Sequence, residues 1–166
     1  MNRVTVELTP YVPAADLFRL VCHQPDCAFL DSSLVNDLGR WSIIGLRPYE
    51  TFVKEHDGTF TRNGQLQSGV SFEDSLQSYL RAHRDENETG LPMVSGAIGY
   101  FSYDYLGYSE PTVKREVEDT ENFKDVDLML FDKVIAFDNL KQKIILIVNI
   151  RCEDLKTEYH RAELEL

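Results

Sequence analysis

Tyr49-Glu50-Thr51-Phe52-Val53-Lys54-Glu55-His56-Asp57-Gly58-Thr59-Phe60-Thr61-Arg62-Asn63-Gly64 holds two tight-turn dipeptides six residues apart. Tyr49, Thr51, Val53 and Glu55 alternate with the period of two that marks a strand. Asp57-Gly58 suits a two-residue type I′ turn, in which both central residues need positive φ, and Asn63-Gly64 repeats the signal. Two such turns in close succession predict a meander of short antiparallel strands and argue against a doubly wound parallel sheet.

Downstream of this meander, Ser71 offers an N-cap hydroxyl, and Glu73 and Asp74 place negative charge in the first turn of a helix running through Leu76, Tyr79 and Leu80. Asp85 to Gly90 is its polar exit. Met93 to Phe101 has two glycines in a strand-like context, a sign of a bulge or of close backbone approach. Asp127 to Phe137 and Lys143 to Ile150 read as the clearest strand pair, joined by a hairpin loop over Asp138-Asn139-Leu140-Lys141-Gln142.

Upstream, Cys27 to Leu30 and Trp41 to Leu46 are apolar strands flanking the polar loop Asn36-Asp37-Leu38-Gly39. Pro10 and Pro13 separate a first strand, Val4 to Leu8, from a helix over Ala14 to Val21. Leu17, Leu20 and Val21 share one face at helical spacing, so this helix is expected to lie on a sheet. The expected class is α+β: an antiparallel sheet system, meander or sandwich-like, with packed helices. The chain shows no internal repeat and no low-complexity tract.

At 166 residues the chain reads as a single domain over 1–166, and its 43% hydrophobic content fits a globular protein. The longest apolar run, Ile144 to Val148, falls far short of the roughly 18 residues of a membrane span. The amino terminus has no basic region leading into an apolar block, so a cytoplasmic location is expected. A net charge of -11 would repel a phosphate backbone, and no basic patch offsets it, which excludes nucleic acid as a partner. Glu116, Glu118, Asp119, Glu121, Asp125 and Asp127, interrupted by Lys124, read as a solvated loop. Cys22, Cys27 and Cys152 are too few and too irregular for a disulfide framework or a zinc site. Cys22 beside His23 reads as a small buried group at a helix end rather than a nucleophile.

Glu153 to Ala162 begins a helix with Leu155, Tyr159 and Ala162 on one stripe, with no glycine or proline to end it. The expectation is a longer protein cut within a helix near 152–166.

Phe29-Leu30-Asp31-Ser32-Ser33 and Gly39-Arg40-Trp41-Ser42-Ile43-Ile44-Gly45 gather a carboxylate, hydroxyls, a guanidinium and an indole at the facing ends of two strands, a set suited to a small zwitterion. With Leu91-Pro92-Met93-Val94-Ser95-Gly96-Ala97-Ile98-Gly99-Tyr100-Phe101-Ser102-Tyr103-Asp104, these strings resemble the amino-terminal domain of the chorismate-utilising synthases. Aminodeoxychorismate synthase component I is the nearer branch in this reading, and anthranilate synthase component I the second. The resemblance implies that catalysis, and the magnesium it needs, belong to a separate carboxy-terminal chorismate-binding region. No catalytic residue, cofactor or metal ligand is therefore assigned to this chain, which is expected to be inactive alone. A glutamine amidotransferase partner and a pocket able to hold tryptophan are implied as well.

The ligand-binding set is Leu30, Asp31, Ser32, Arg40, Trp41 and Ser42. Ser32 matches the family's pocket serine, and Arg40 with Trp41 its basic and aromatic pair. The Ser32 hydroxyl suits an α-carboxylate or α-ammonium, Arg40 offers a forked donor, Asp31 receives an ammonium and Trp41 flanks a ring. The plainer alternatives are an Asp31–Arg40 surface pair, Trp41 in the core, and Ser32 and Ser33 satisfying backbone groups. Asp31 stands where the anthranilate branch typically has glutamate, which tips the reading toward the aminodeoxychorismate, folate-precursor branch. Tyr100, Phe101, Tyr103, Tyr105 and Tyr108 crowd five aromatics into nine residues. Tyr100, Tyr103 and Asp104 are accordingly assigned to an interdomain surface. A free-standing amino-acid-binding module is the rival of another class.

Overall fold

A computed structural model of the chain describes residues 2–23, 26–32, 34, 36–84, 86–110, 112, 122–150 and 164. In chain order the elements are β1 (Asn2–Leu8), α1 (Ala14–Val21), β2 (Cys27–Leu30), β3 (Trp41–Leu46), β4 (Glu50–Lys54), β5 (Phe60–Arg62), β6 (Gln65–Leu66) and α2 (Phe72–Ala82). They continue as β7 (Gly96–Phe101), a 3₁₀ turn (Tyr103–Tyr105), α3 (Leu106–Ser109), β8 (Val126–Phe131), β9 (Lys133–Asp138) and β10 (Lys143–Ile150). The chain divides into two compact units, Met1–Tyr49 with Asp85–Gly96 and Leu130–Leu166, and Glu50–Arg84 with Ala97–Met129.

One five-stranded sheet has the order β1-β10-β9-β3-β2. Its pairs are all antiparallel, with Val4 opposite Val148, Leu146 opposite Ile135, Ile135 opposite Ile44, and Ile44 opposite Phe29. α1 covers one face because Ala14, Leu17, Phe18 and Val21 recur at helical spacing and meet Ile44, Ile135, Phe137, Ile144 and Leu146. Phe18 stacks on Phe29 with ring centroids 4.6 Å apart. Leu20, expected on that stripe, is 76% exposed. Phe18 takes its place, since a stripe built on Ala14 and Leu17 continues through Phe18 and Val21 and leaves Leu20 on the flank. Cys22, expected buried, is exposed at the C-cap, one residue past the packed stripe, and donates its thiol to the Arg19 carbonyl.

The second sheet has the order β6-β5-β4-β8-β7. β4, β5 and β6 form the antiparallel meander read from the turn dipeptides, with Phe52 opposite Arg62 and Arg62 opposite Gln65. Asn63 and Gly64 both have positive φ, 50° and 72°, as a type I′ turn requires. The first turn departs from that expectation, because of its two central residues only Gly58 has positive φ. The Gly58 amide donates to the Glu55 carbonyl, and the Asp57 carboxylate accepts from both the Thr59 amide and its hydroxyl. That side-chain ring holds Asp57 in ordinary backbone space and leaves the left-handed residue to glycine.

Asp127 to Phe137, read as one strand, is two. β8 belongs to the second sheet and β9 to the first, with Asp132 between them. The buried side chain of Asn149 explains the break: its amide nitrogen donates to the Asp132 and Val94 carbonyls, and its backbone amide also reaches Asp132. Periodicity runs unbroken through Asp132 because both strands are largely buried, so the change of sheet leaves no mark in the hydrophobic pattern.

Ser71 caps α2 as expected, accepting from the Asp74 amide at 3.0 Å. Gly99 is where β7 comes close to a neighbouring strand: a Cβ there would collide with the Asp127 carbonyl. The acidic positions Glu116 to Glu121 and the helix expected over Glu153 to Ala162 lie outside the described residues. Among the described residues no helix is long and apolar enough to cross a membrane.

Candidate functional site

β2 ends at Leu30, paired with Ile43, so Asp31 and Ser32 leave the strand beside Ser42 on β3. Ser42 is buried, and its hydroxyl is fully committed. It donates to Asp31 Oδ1 at 2.7 Å and accepts from Asn139 Nδ2 at 2.9 Å and from the Ser32 amide at 3.3 Å. One O–H and two lone pairs are all a serine hydroxyl has, so Ser42 positions its neighbours and has nothing left for a ligand. Asp31 is exposed, and its Oδ2 takes no hydrogen bond among the described residues, which leaves an acceptor open to an ammonium group.

The β9–β10 turn completes the cluster. Asn139 accepts from the Tyr11 hydroxyl at 3.0 Å, and its backbone amide donates to the Arg40 carbonyl. Burial raises the Tyr11 phenol above its ordinary value, helped by the carboxylates of Asp31 and Asp138, so Tyr11 stays a neutral donor.

Arg40 pairs with Asp138, not with Asp31. Its Nε donates to Asp138 Oδ1 at 3.0 Å and its Nη2 to Oδ2, a bidentate fork. Asp138 also accepts from the Lys141 amide. The hydrogen bonds from Arg40 hold the Asp138 carboxyl below its usual range, and the same bond raises Arg40 further. The guanidinium lies 4.8 Å from the Trp41 ring centroid, a cation–π contact that orients it.

Asp31, Ser32, Arg40, Trp41 and Ser42 are thus brought to one place. Leu30 is beside them, about half exposed at the end of β2. Tyr11, Asp138 and Asn139 belong to the same network; the sequence places Asp138 and Asn139 in the hairpin loop and does not single out Tyr11. Their polarity in a tight turn looks the same whether they cap the turn or serve a site.

Of the aromatic run, Tyr103 is 85% exposed and Phe101 half exposed, with Tyr100 and Tyr108 also at the surface. Asp104 and Tyr105 are half-buried. Tyr105 instead serves the second unit from within. Its hydroxyl donates to Glu73 Oε1 at 2.8 Å, and burial with the Glu73 bond pushes its phenol far above the ordinary range. Glu73 also receives the buried ammonium of Lys54 at 2.9 Å. Burial works to raise the Glu73 carboxyl, but hydrogen bonds from Lys54, a backbone amide and Tyr105 prevail and lower it. The Lys54 ammonium lies 3.5 Å from the Tyr108 ring centroid, 5.3 Å from Tyr105 and 5.5 Å from Phe72. Tyr108 donates to Asp125, which also faces His56 Nδ1 at 3.3 Å. Among the described residues no group of three or more His, Cys, Asp or Glu side chains converges on a metal position.

A family model described as chorismate binding enzyme matches residues 28–166. Anthranilate synthase component 1 of Saccharomyces cerevisiae is 35% identical over 159 residues, covering 93% of this chain and 30% of that protein. Aminodeoxychorismate synthase component 1 of Bacillus subtilis is 31% identical over 132 residues, covering 76% of this chain and 28% of that protein. The crystal structure of anthranilate synthase component I from Streptococcus pneumoniae TIGR4 superposes with a TM-score of 0.61 at 24% identity, over 92% of this chain and 34% of that one, which establishes a shared fold. The chain spans about a third or less of the length of these relatives.

Proposed function

The chain belongs to the chorismate binding enzyme family, and from that premise we propose that it is the amino-terminal part of a component I synthase acting on chorismate. The match across residues 28–166 carries this reading. Anthranilate formation is the first branch, supported by the 35% identity to the yeast enzyme. Aminodeoxychorismate formation is the second, favoured by Asp31, whose carboxylate arm is one methylene shorter than glutamate. In this proposal the chain contributes scaffold and pocket. The ring chemistry, its magnesium and a glutamine amidotransferase partner that supplies ammonia are assigned to polypeptide beyond it.

The pocket in this proposal takes an amino acid of the tryptophan type. Asp31 Oδ2 receives the ammonium, the Ser32 hydroxyl meets a polar head group, and Trp41 flanks the ring. Arg40, its fork occupied by Asp138, offers only its remaining N–H groups. Tyr100, Tyr103 and Asp104 face the catalytic region.

Two experiments test this. The full-length parent protein, supplied with chorismate, magnesium and an ammonium salt, is expected to form anthranilate. Aminodeoxychorismate as the product moves the assignment to the second branch, and neither product overturns the proposal. For the pocket, tryptophan is titrated against thermal unfolding of this chain, where binding to the native state raises the midpoint. A weak rise abolished in Asp31→Ala is expected. A rise unchanged in that variant overturns the role of Asp31.

A further inference from the structure

α2 carries two parallel stripes. Phe72, Leu76 and Leu80, four residues apart, form an apolar one, and Glu73, Gln77 and Arg81 form a polar one beside it, with Arg84 just past the His83 cap lining the same face. Tyr105 joins the lining, giving an open, shallow groove of about 490 Å³ within one compact unit. That volume is in the range of small-molecule sites, which combine an apolar lining with a few placed polar groups.

The groove's charges are not equivalent. Glu73 meets Lys54 and the Tyr105 hydroxyl through Oε1, and the buried ammonium offsets its charge. Arg81 and Arg84 have no hydrogen-bond or ion-pair partner among the described residues. On a chain of net charge -11, this leaves two uncommitted guanidiniums beside a half-exposed leucine, Leu80. A merely solvated helix face would need neither the concavity nor the adjoining apolar floor. A cationic ligand is disfavoured by both arginines, and a fully polar anion would leave the Leu76–Leu80 floor unused.

We propose that the α2 groove is a binding site for a small organic anion with a planar apolar body, its charged group held by Arg81 and Arg84 and its body lying on Leu76, Leu80 and the Tyr105 ring. The site shares no residue with the β2–β3 cluster and does not depend on the chorismate reading. Two guanidiniums lining one groove, Arg81 from the last turn of α2 and Arg84 from just beyond its cap, can present forked donors to one carboxylate. Gln77, one turn before Arg81, adds an amide donor along the same stripe.

The test uses 2-naphthoate as probe, titrated into the full 166-residue chain by calorimetry, with neutral 2-naphthamide as control. Saturable 1:1 binding of the carboxylate, at least about tenfold tighter than the amide, is expected. Arg81→Gln/Arg84→Gln should lose about tenfold in affinity, the scale of one charge-assisted contact pair. Both arginines are exposed, so the double variant is expected to melt with the parent, and Leu80→Glu should abolish binding through like charge on the floor. Absence of saturable binding, equal affinity for the amide, or unchanged affinity in the double variant overturns the proposal. Concentration-dependent self-association of the chain that Leu80→Glu removes would assign the groove to a second copy and overturn it as well.

Discussion

The Ser42 hydroxyl donates to Asp31 Oδ1 over 2.7 Å, fixing the first residue after β2 to a buried position on β3. Because Ser42 also accepts from Asn139 and Ser32, its loss unties three groups at once. Ser42→Ala is expected to cost about 1–3 kcal/mol in urea unfolding, the usual cost of leaving buried polar groups unpaired. A change below about 0.5 kcal/mol, typical of an unconstrained surface site, would show that the network carries no stability.

The acid limb of the stability curve should carry the signature of Asp138. Its folded carboxyl titrates below the ordinary carboxylate value, so its contribution is present above that value and lost as pH falls through the depressed one. The stability gap between the parent and Asp138→Asn should therefore be flat from pH 7 to about 5 and should close below about pH 4. Paired urea titrations across that range measure it. A gap that widens on acidification would contradict the Arg40 fork.

Lys54 and Glu73 form an ion pair of unequal burial, with side chains 6% and 49% exposed. Glu73→Gln removes the countercharge of a buried ammonium and leaves it a neutral amide oxygen and the surrounding rings, and about 2 kcal/mol of destabilisation is expected. Lys54→Met leaves a carboxylate that water can reach and fills the space with an apolar chain of similar length, so a change within about 1 kcal/mol is expected. Thermal or urea unfolding of both variants ranks them, and the reverse order would refute this account of the pair.

Gly45 and Gly99 should both resist alanine, for different reasons. A Cβ on Gly45 would sit 2.7 Å from the ring of the fully buried Phe131, which must repack, and about 1–3 kcal/mol is expected. A Cβ on Gly99 would meet backbone, with Leu128 Cα only 2.9 Å away, so Gly99→Ala should cost more than Gly45→Ala. Midpoints of denaturation for the two variants decide the order.

Tyr103→Ser is expected to leave the stability of the chain within about 0.5 kcal/mol, since its ring is almost wholly exposed. In the full-length protein the same substitution should lower stability by more if the ring lies against the catalytic region. Equal effects in the two contexts would remove Tyr103 from the interdomain surface.

Local chemistry determined much of this protein without reference to the rest of the chain. The bounds of α1, β2 and β3, the Ser71 cap and the Asn63-Gly64 turn were legible because each depends on dihedral preferences and spacings within a few residues. The Asp31, Ser32, Arg40, Trp41 and Ser42 cluster was legible as a place for the same reason, since two strands with a short connection must bring their ends together. Their partners were not. Arg40 meets Asp138 from 98 positions away and Ser42 meets Asn139 from 97, pairings set by the β3–β9 register rather than by either residue's neighbours. The switch of sheet at Asp132 and the outward turn of Leu20 likewise required the tertiary structure. A hydrophobic period tells a residue that it has an inner face, and only the packed neighbours decide where that face ends and which sheet receives it.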